Sequence, residues 1–290
     1  MTTEGFILVQ FLDTISLAAL LICIAMGMTL IFGILRIINF AHGALYMLGA
    51  YGSYTVVQIT GSFWLALLIV PPLVGGIGMV VERGILRPLF GREEGAFLLV
   101  TFGLALMLTD VMRLGWGPYP LNVPAAPMLK GIVWLAGEPY PVYRLFLIGA
   151  GIAVTLGIGI TLQRTPFGLY VRASWQNSEM VEAAGVNVNL IRNLVVALAF
   201  GLAGLAGVLA APLLTANMGM GIAVIVDTFV IVVIGGLGSI AGTVLAAIVI
   251  ATLRVFGDYY FPEMAMASQF LLMALVLGFR PGGLLGKAEI

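Results

Sequence analysis

Nine stretches of mostly apolar residues follow one another along this chain, near 6–33, 37–58, 63–81, 96–113, 142–162, 191–213, 224–238, 240–256 and 265–279. A helix needs about 20 apolar residues to cross roughly 30 Å of hydrocarbon, and most of these stretches approach that length. In lipid the backbone must satisfy its own polar groups, so such segments fold as helices. Composition excludes a soluble domain: 61% of the 290 residues are hydrophobic and 9% are charged, where soluble domains carry about a quarter charged residues. The chain reads as an all-α polytopic membrane protein of about eight or nine transmembrane helices, some short or broken, forming a single transmembrane domain over 1–290.

Lys and Arg together equal Asp and Glu at 13 each, so no basic surplus points to nucleic acid. The single cysteine, Cys23, lies in an apolar run and reads as a packing residue. No Lys or Arg precedes Arg36, so the first apolar stretch lacks the positive flank of a cleaved signal peptide and reads as a retained span.

Basic residues gather in alternate loops, which sets the expected orientation. Arg83, Arg87 and Arg92 fall in 82–95, and Arg164 and Arg172 fall in 163–190, with Arg192 at its edge. With Arg36, Arg280 and Lys287 these are nine of the 13 basic residues, and their side is expected to be cytoplasmic. The N-terminus then lies outside and the C-terminus inside. Segment 114–141, too long and too rich in Pro and Gly for a span, becomes an ordered extracytoplasmic loop, and 257–263 lies on the same side.

Three stretches stand out against this apolar background. "RIINFAHGALYMLGAY" (36–51) holds Asn39, the only histidine His42, and Gly43 and Gly49. At helical spacing Asn39, His42, Gly43, Tyr46, Ala50 and Ser53 share one face, with Phe40, Leu45 and Leu48 pointing elsewhere. Such a stripe either packs against another helix or lines a hydrated route. "VIGGLGSIAGTVLAA" (233–247) repeats small residues at three and four, with Asp227 and Thr228 just before it. Close helix packing explains its glycines better than a dinucleotide fingerprint, which needs a strand before it and an acidic residue about 20 positions after it. Asp227 is read near the external end, either solvated at the interface or buried with a function. Paired polar interruptions in the two halves of a chain point to a transporter built from repeats, here a possible inverted repeat.

The third stretch is the loop 165–193. Within it "SEMVEAAG" reads as a short helix, with Ser178 as cap, Glu179 and Glu182 near its positive end, and Gly185 terminating it. A helix over 178–190 lying along the membrane is either a connector or a lever gripped by a partner on that side. A rival reading is a secondary transporter or channel, in which Asp110, Arg113, Asp227 and Arg254 carry coupling charge. An intramembrane enzyme is disfavoured, because no H-E-x-x-H or G-x-S-x-G motif accompanies the histidine.

Glu182-Ala183-Ala184-Gly185 resembles the coupling-helix motif of ABC import permeases. "INFAHGALYMLGAY" (38–51), "VIGGLGSIAGTVLAA" (233–247) and "FRPGGLLGK" (279–287) are similar to the LivH-type permease of branched-chain amino acid importers, in the same order along nearly the whole chain. The family's commoner motif has proline after Gly-Ser-Ile, where this chain has Ala241. The resemblance implies a heteromeric importer: this permease, a second LivM-type permease, two cytoplasmic ATPase subunits and an extracytoplasmic solute-binding protein. Glu179, Glu182, Ala183, Ala184 and Gly185 would dock the ATPase; Asn39, His42, Gly43 and Met47, with Asp227 and Thr228, would shape or line the pathway. The sequence has no G-x-x-x-x-G-K-[ST] phosphate loop, so the chain is expected to bind no cofactor and to leave ATP to the partner subunits. Relatives of this type are associated with hydrophobic amino acids, and also with urea, short amides and aromatic acids.

Overall fold

A computed structural model describes residues 3–35, 39–90 and 92–286. Arg36 and Lys287, both counted in the charge asymmetry, lie outside the described residues. The helices run α1 (Thr3–Leu35), α2 (Ala41–Thr60), α3 (Phe63–Val81), α4 (Glu94–Trp116), α5 (Val142–Arg164), α6 (Pro166–Gln176), α7 (Ser178–Ala183), α8 (Val188–Leu214), α9 (Met220–Gly235), α10 (Ile240–Tyr260) and α11 (Pro262–Phe279).

Among the described residues, six helices are long and apolar enough to cross a membrane: α1, α3, α4, α5, α8 and α10; α9 and most of α11 form shorter apolar helices. α2 has the length but not the hydropathy. Its burial supplies the reason, because a helix wrapped in protein need not be lipophilic on its outer surface. The fold is therefore layered. In α1 and α8, 72% of the apolar window is buried, against 22% in α4 and α5. α1, α2 and α8 form the centre, and α4, α5 and α11 stand at the margin.

At one end of the bundle, residues 117–141 form an ordered cap. A 3-10 turn at Pro127–Leu129 precedes the hairpin of β1 (Ile132–Leu135) and β2 (Glu138–Pro141), in which Ile132 pairs with Pro141 and Leu135 with Glu138. Both turn residues have positive φ, Ala136 at 50° and Gly137 at 82°, the conformation that a two-residue hairpin requires. Leu121 bridges to Ala216 beyond α8, and Asp13 of α1 forms an ion pair with Arg144 of α5. Residues 114–116, expected in the loop, are the last turn of α4. Burial, with Asp13 alongside, pushes the Tyr140 phenol up to about 12, so it serves there as a neutral hydroxyl.

The opposite end carries α6, α7 and the tail. Trp175 of α6 packs over Gly33 near the end of α1. Residues 280–286 fold back on the α9–α10 turn: Leu284 N–H donates to the Ile234 carbonyl at 2.7 Å and Leu285 N–H to the Gly235 carbonyl at 3.2 Å. Two motifs far apart in sequence, "VIGGLGSIAGTVLAA" and "FRPGGLLGK", thus join through backbone groups.

Candidate functional site

The polar stretch of α2 begins inside the bundle. Phe40 lies beside Thr101, about two turns into α4, and His42 lies beside Ile24, about three turns before the end of α1. A helix N-terminus leaves backbone N–H groups without intrahelical partners, at a cost where water is excluded. Side chains supply acceptors here: Asn39 Oδ1 accepts the Ala41 N–H at 3.0 Å, and Thr101 Oγ1 accepts the Phe40 N–H at 3.4 Å. Asn39 and Thr101 also line a small cleft with Ile31, Leu35, Leu86 and Phe97.

His42 is fully buried, and its Nε2–H donates to the Ile24 carbonyl at 3.0 Å. Its ring sits beside Phe200, with centroids 6.3 Å apart, and against Gly27. The arrangement ties α1, α2 and α8 together. His42 Nδ1 and Asn39 Nδ2 are buried with no hydrogen-bond partner among the described residues.

The single polar face expected for α2 is not what forms. Leu45 and Tyr51 are as buried as His42 and Ser53, and Met47 is close behind. Gly43 abuts the backbone of Gly221 in α9, Gly49 abuts Gly204 in α8, and Gly207 of α8 faces the backbone of Tyr46 and Ala50. Helices on several sides claim α2, so its small residues serve close approach around the helix rather than along one stripe. α2 and α9 meet backbone to backbone here, at Gly43 and Gly221.

Of the two readings open for Asp227, solvated or buried, the structure shows the buried one. The residue lies mid-way along α9, is 6% exposed, and accepts a hydrogen bond from Arg254 Nη1 of α10 at 2.5 Å. Two of the four charges suggested for a secondary transporter thus pair with each other; Asp110 and Arg113 are exposed on α4. Thr228 is fully buried, with its hydroxyl donating to the Val224 carbonyl at 2.6 Å.

The α7 corner brings its candidate residues together. Glu179, Glu182, Ala183, Ala184 and Gly185 are all exposed, as is Met180 between them, while Val181 anchors the helix inward. Asn177, not Ser178, is the cap: its Oδ1 accepts the Met180 N–H at 3.0 Å. α7 ends at Ala183, and Gly185 turns the chain with φ 84°. Asn187 then caps α8, accepting the Leu190 N–H at 3.0 Å. The short helix thus ends beside the glycine expected to terminate it, and 188–190, expected within the cytoplasmic helix, are the start of α8. Sequence reading missed α6, although Thr165 followed by Pro166 is a helix-start signal and Thr165 Oγ1 accepts the Gly168 N–H at 3.1 Å. It also left Glu82 in a loop, where the structure buries it completely.

Alternating membrane-length helices around a buried, polar-started central helix define a multi-pass α-helical membrane protein. Residues 10–277 match the family "Branched-chain amino acid transport system / permease component", and the chain belongs to it. It is 27% identical to the high-affinity branched-chain amino acid transport system permease protein BraD of Pseudomonas aeruginosa, over 97% of this chain and 96% of that one. It is 26% identical to the corresponding permease protein LivH of Escherichia coli, over 98% of this chain and 97% of that one. The ribose import permease protein RbsC of Haemophilus influenzae is 28% identical over 80% of this chain and 72% of its own length. The match to the LivH type thus runs almost end to end, as the four motifs imply.

Proposed function

We propose that this chain forms one half of the translocation pathway of an ATP-driven importer for branched-chain or other hydrophobic amino acids. It pairs with a second, LivM-type permease. Two cytoplasmic ATPase subunits grip α7 and consume the ATP, and an extracytoplasmic solute-binding protein docks at the hairpin end. The observation that carries this reading is the exposed corner Glu179–Gly185, hung directly on the buried helix α8. A short solvated helix between membrane helices gives a separate ATPase something to push. The gathering of Arg83, Arg87, Arg164, Arg172 and Arg192 around that same end supports a cytoplasmic α7, an external N-terminus and a cytoplasmic C-terminus.

In this reading Asn39, His42, Gly43 and Met47, with Asp227 and Thr228, shape the wall of the route by holding α2 against α1, α8 and α9. Glu179, Glu182, Ala183, Ala184 and Gly185 form the ATPase contact. The test is uptake of radiolabelled leucine by the complete complex in proteoliposomes. Uptake is expected to survive collapse of the proton and sodium gradients and to stop when ATP is depleted, and the reverse dependence would overturn the reading. Glu182→Lys is expected to abolish uptake and release the ATPase subunits while the permease stays inserted.

A further inference from the structure

Among the described residues, Glu82 is the one carboxylate at the α7 end that the fold hides completely. It closes α3 and opens a five-residue π-helical turn, Glu82–Leu86. Arg87 Nε donates to its Oε1 at 3.2 Å and Arg87 Nη2 to its Oε2 at 3.0 Å. Asn193 Nδ2, from the second turn of α8, donates to the same Oε2 at 2.7 Å and to the Met79 carbonyl of α3 at 3.1 Å. Arg87 Nη2 also reaches the Asn189 carbonyl at 3.4 Å, and the Arg192 guanidinium lies 5.2 Å from the centroid of the Phe90 ring.

These contacts lie at the mechanical root of α7. Only residues 184–187 separate α7 from α8. Among the described residues, the hydrogen bonds from the first two turns of α8 to another helix or its end run to Glu82, Arg87 and Met79. Further along, α8 packs against α2 through Phe200, Gly204 and Gly207. A displacement of α7 therefore enters the bundle at a point where α3 and α8 are knotted together, and it continues to α2. Stability alone explains this knot poorly, because replacing a buried ion pair by apolar residues is often neutral or stabilising. The π-turn, a rare element found frequently at functional sites, begins at Glu82 and ends at Leu86, just before Arg87.

We infer that Glu82 is a positioning residue for energy coupling: with Arg87 and Asn193 it makes the start of α8 and the end of α3 one rigid body, so that movement of α7 reaches α2. This rests on the reading of α7 as the ATPase contact. In proteoliposomes of the complete transporter, Glu82→Gln and Arg87→Gln are expected to lower leucine uptake roughly tenfold, while ATP hydrolysis stimulated by the solute-loaded binding protein persists. Arg87→Lys, which restores the charge, is expected to recover part of the uptake. Arg87 is part-exposed, so its variants still report on coupling if Glu82→Gln fails to assemble. Unchanged uptake in Arg87→Gln would overturn the inference, and so would loss of uptake and hydrolysis in parallel in an intact complex, which would make the knot a support for docking. Glu182→Lys runs alongside: if it leaves ATPase association intact, the α7 reading fails whatever the Glu82 variants do.

Discussion

Arg254 of α10 holds Asp227 of α9 in an ion pair of 2.5 Å, with the Asp227 side chain 9% exposed and that of Arg254 30% exposed. Removing one partner of a buried pair leaves an uncompensated charge, at a cost of about 3–5 kcal/mol. Arg254→Ala is therefore expected to lower the thermal unfolding midpoint in detergent and the yield of inserted protein. Asp227→Asn combined with Arg254→Gln removes both charges and should recover most of that loss. Equal stability of the single and double variants would show that water, rather than Arg254, solvates Asp227.

Close approach makes an opposite pair of predictions for two glycines. A side chain at Gly49 runs into the backbone of Gly204, whereas one at Gly103 on the outer face of α4 meets nothing within 4 Å. Overpacking a filled interior costs about 1–3 kcal/mol. Gly49→Val should reduce both stability and uptake, and Gly103→Val should leave stability near that of the parent chain. Unfolding midpoints of the two purified variants check the contrast.

His42 acts as a strut. His42→Ala removes the hydrogen bond to Ile24 and opens a void beside Phe200 and Gly27, an expected loss of about 2–4 kcal/mol. Because the side chain points to α1, the variant should lower the maximal rate of uptake and leave KM for solute unchanged. A raised KM with unchanged stability would place His42 in contact with solute instead.

The spans were legible because hydropathy is a local property: the expected 63–81 coincides with α3, and 142–162 lies within α5. The surroundings of α2 were not legible, since a helical-face argument assumes one apolar neighbour and one open side. Here Gly43, Gly49 and Tyr46 meet residues more than 150 positions away in α8 and α9. The pairing of Asp227 with Arg254 and the burial of Glu82 were hidden for the same reason. Each depends on which helices touch, and no periodicity within a segment reports that. The α7 corner was legible in its residues but not in its caps: Asn177 and Ser178 are both good cap types, and only the backbone decides between them.

Gly185 offers the sharpest test of that corner, because its requirement is conformational and not steric. Its φ of 84° is a left-handed geometry that side chains rarely adopt, and an added Cβ would meet nothing within 4 Å. Here the Gly185 N–H donates to the Glu182 carbonyl at 2.9 Å and the Val186 N–H to the Val181 carbonyl at 3.2 Å, closing α7 before α8 begins. Asparagine tolerates this region and β-branched residues do not. Gly185→Asn is thus expected to keep most uptake, and Gly185→Val to lose it together with ATPase association, although both add bulk in the same open space. Equal loss in the two variants would mean that the partner subunit needs a bare surface at 185, and equal retention would mean that it does not read the exit angle of α7. The assay is co-purification of the ATPase subunits with each permease variant, scored beside leucine uptake in the same membranes.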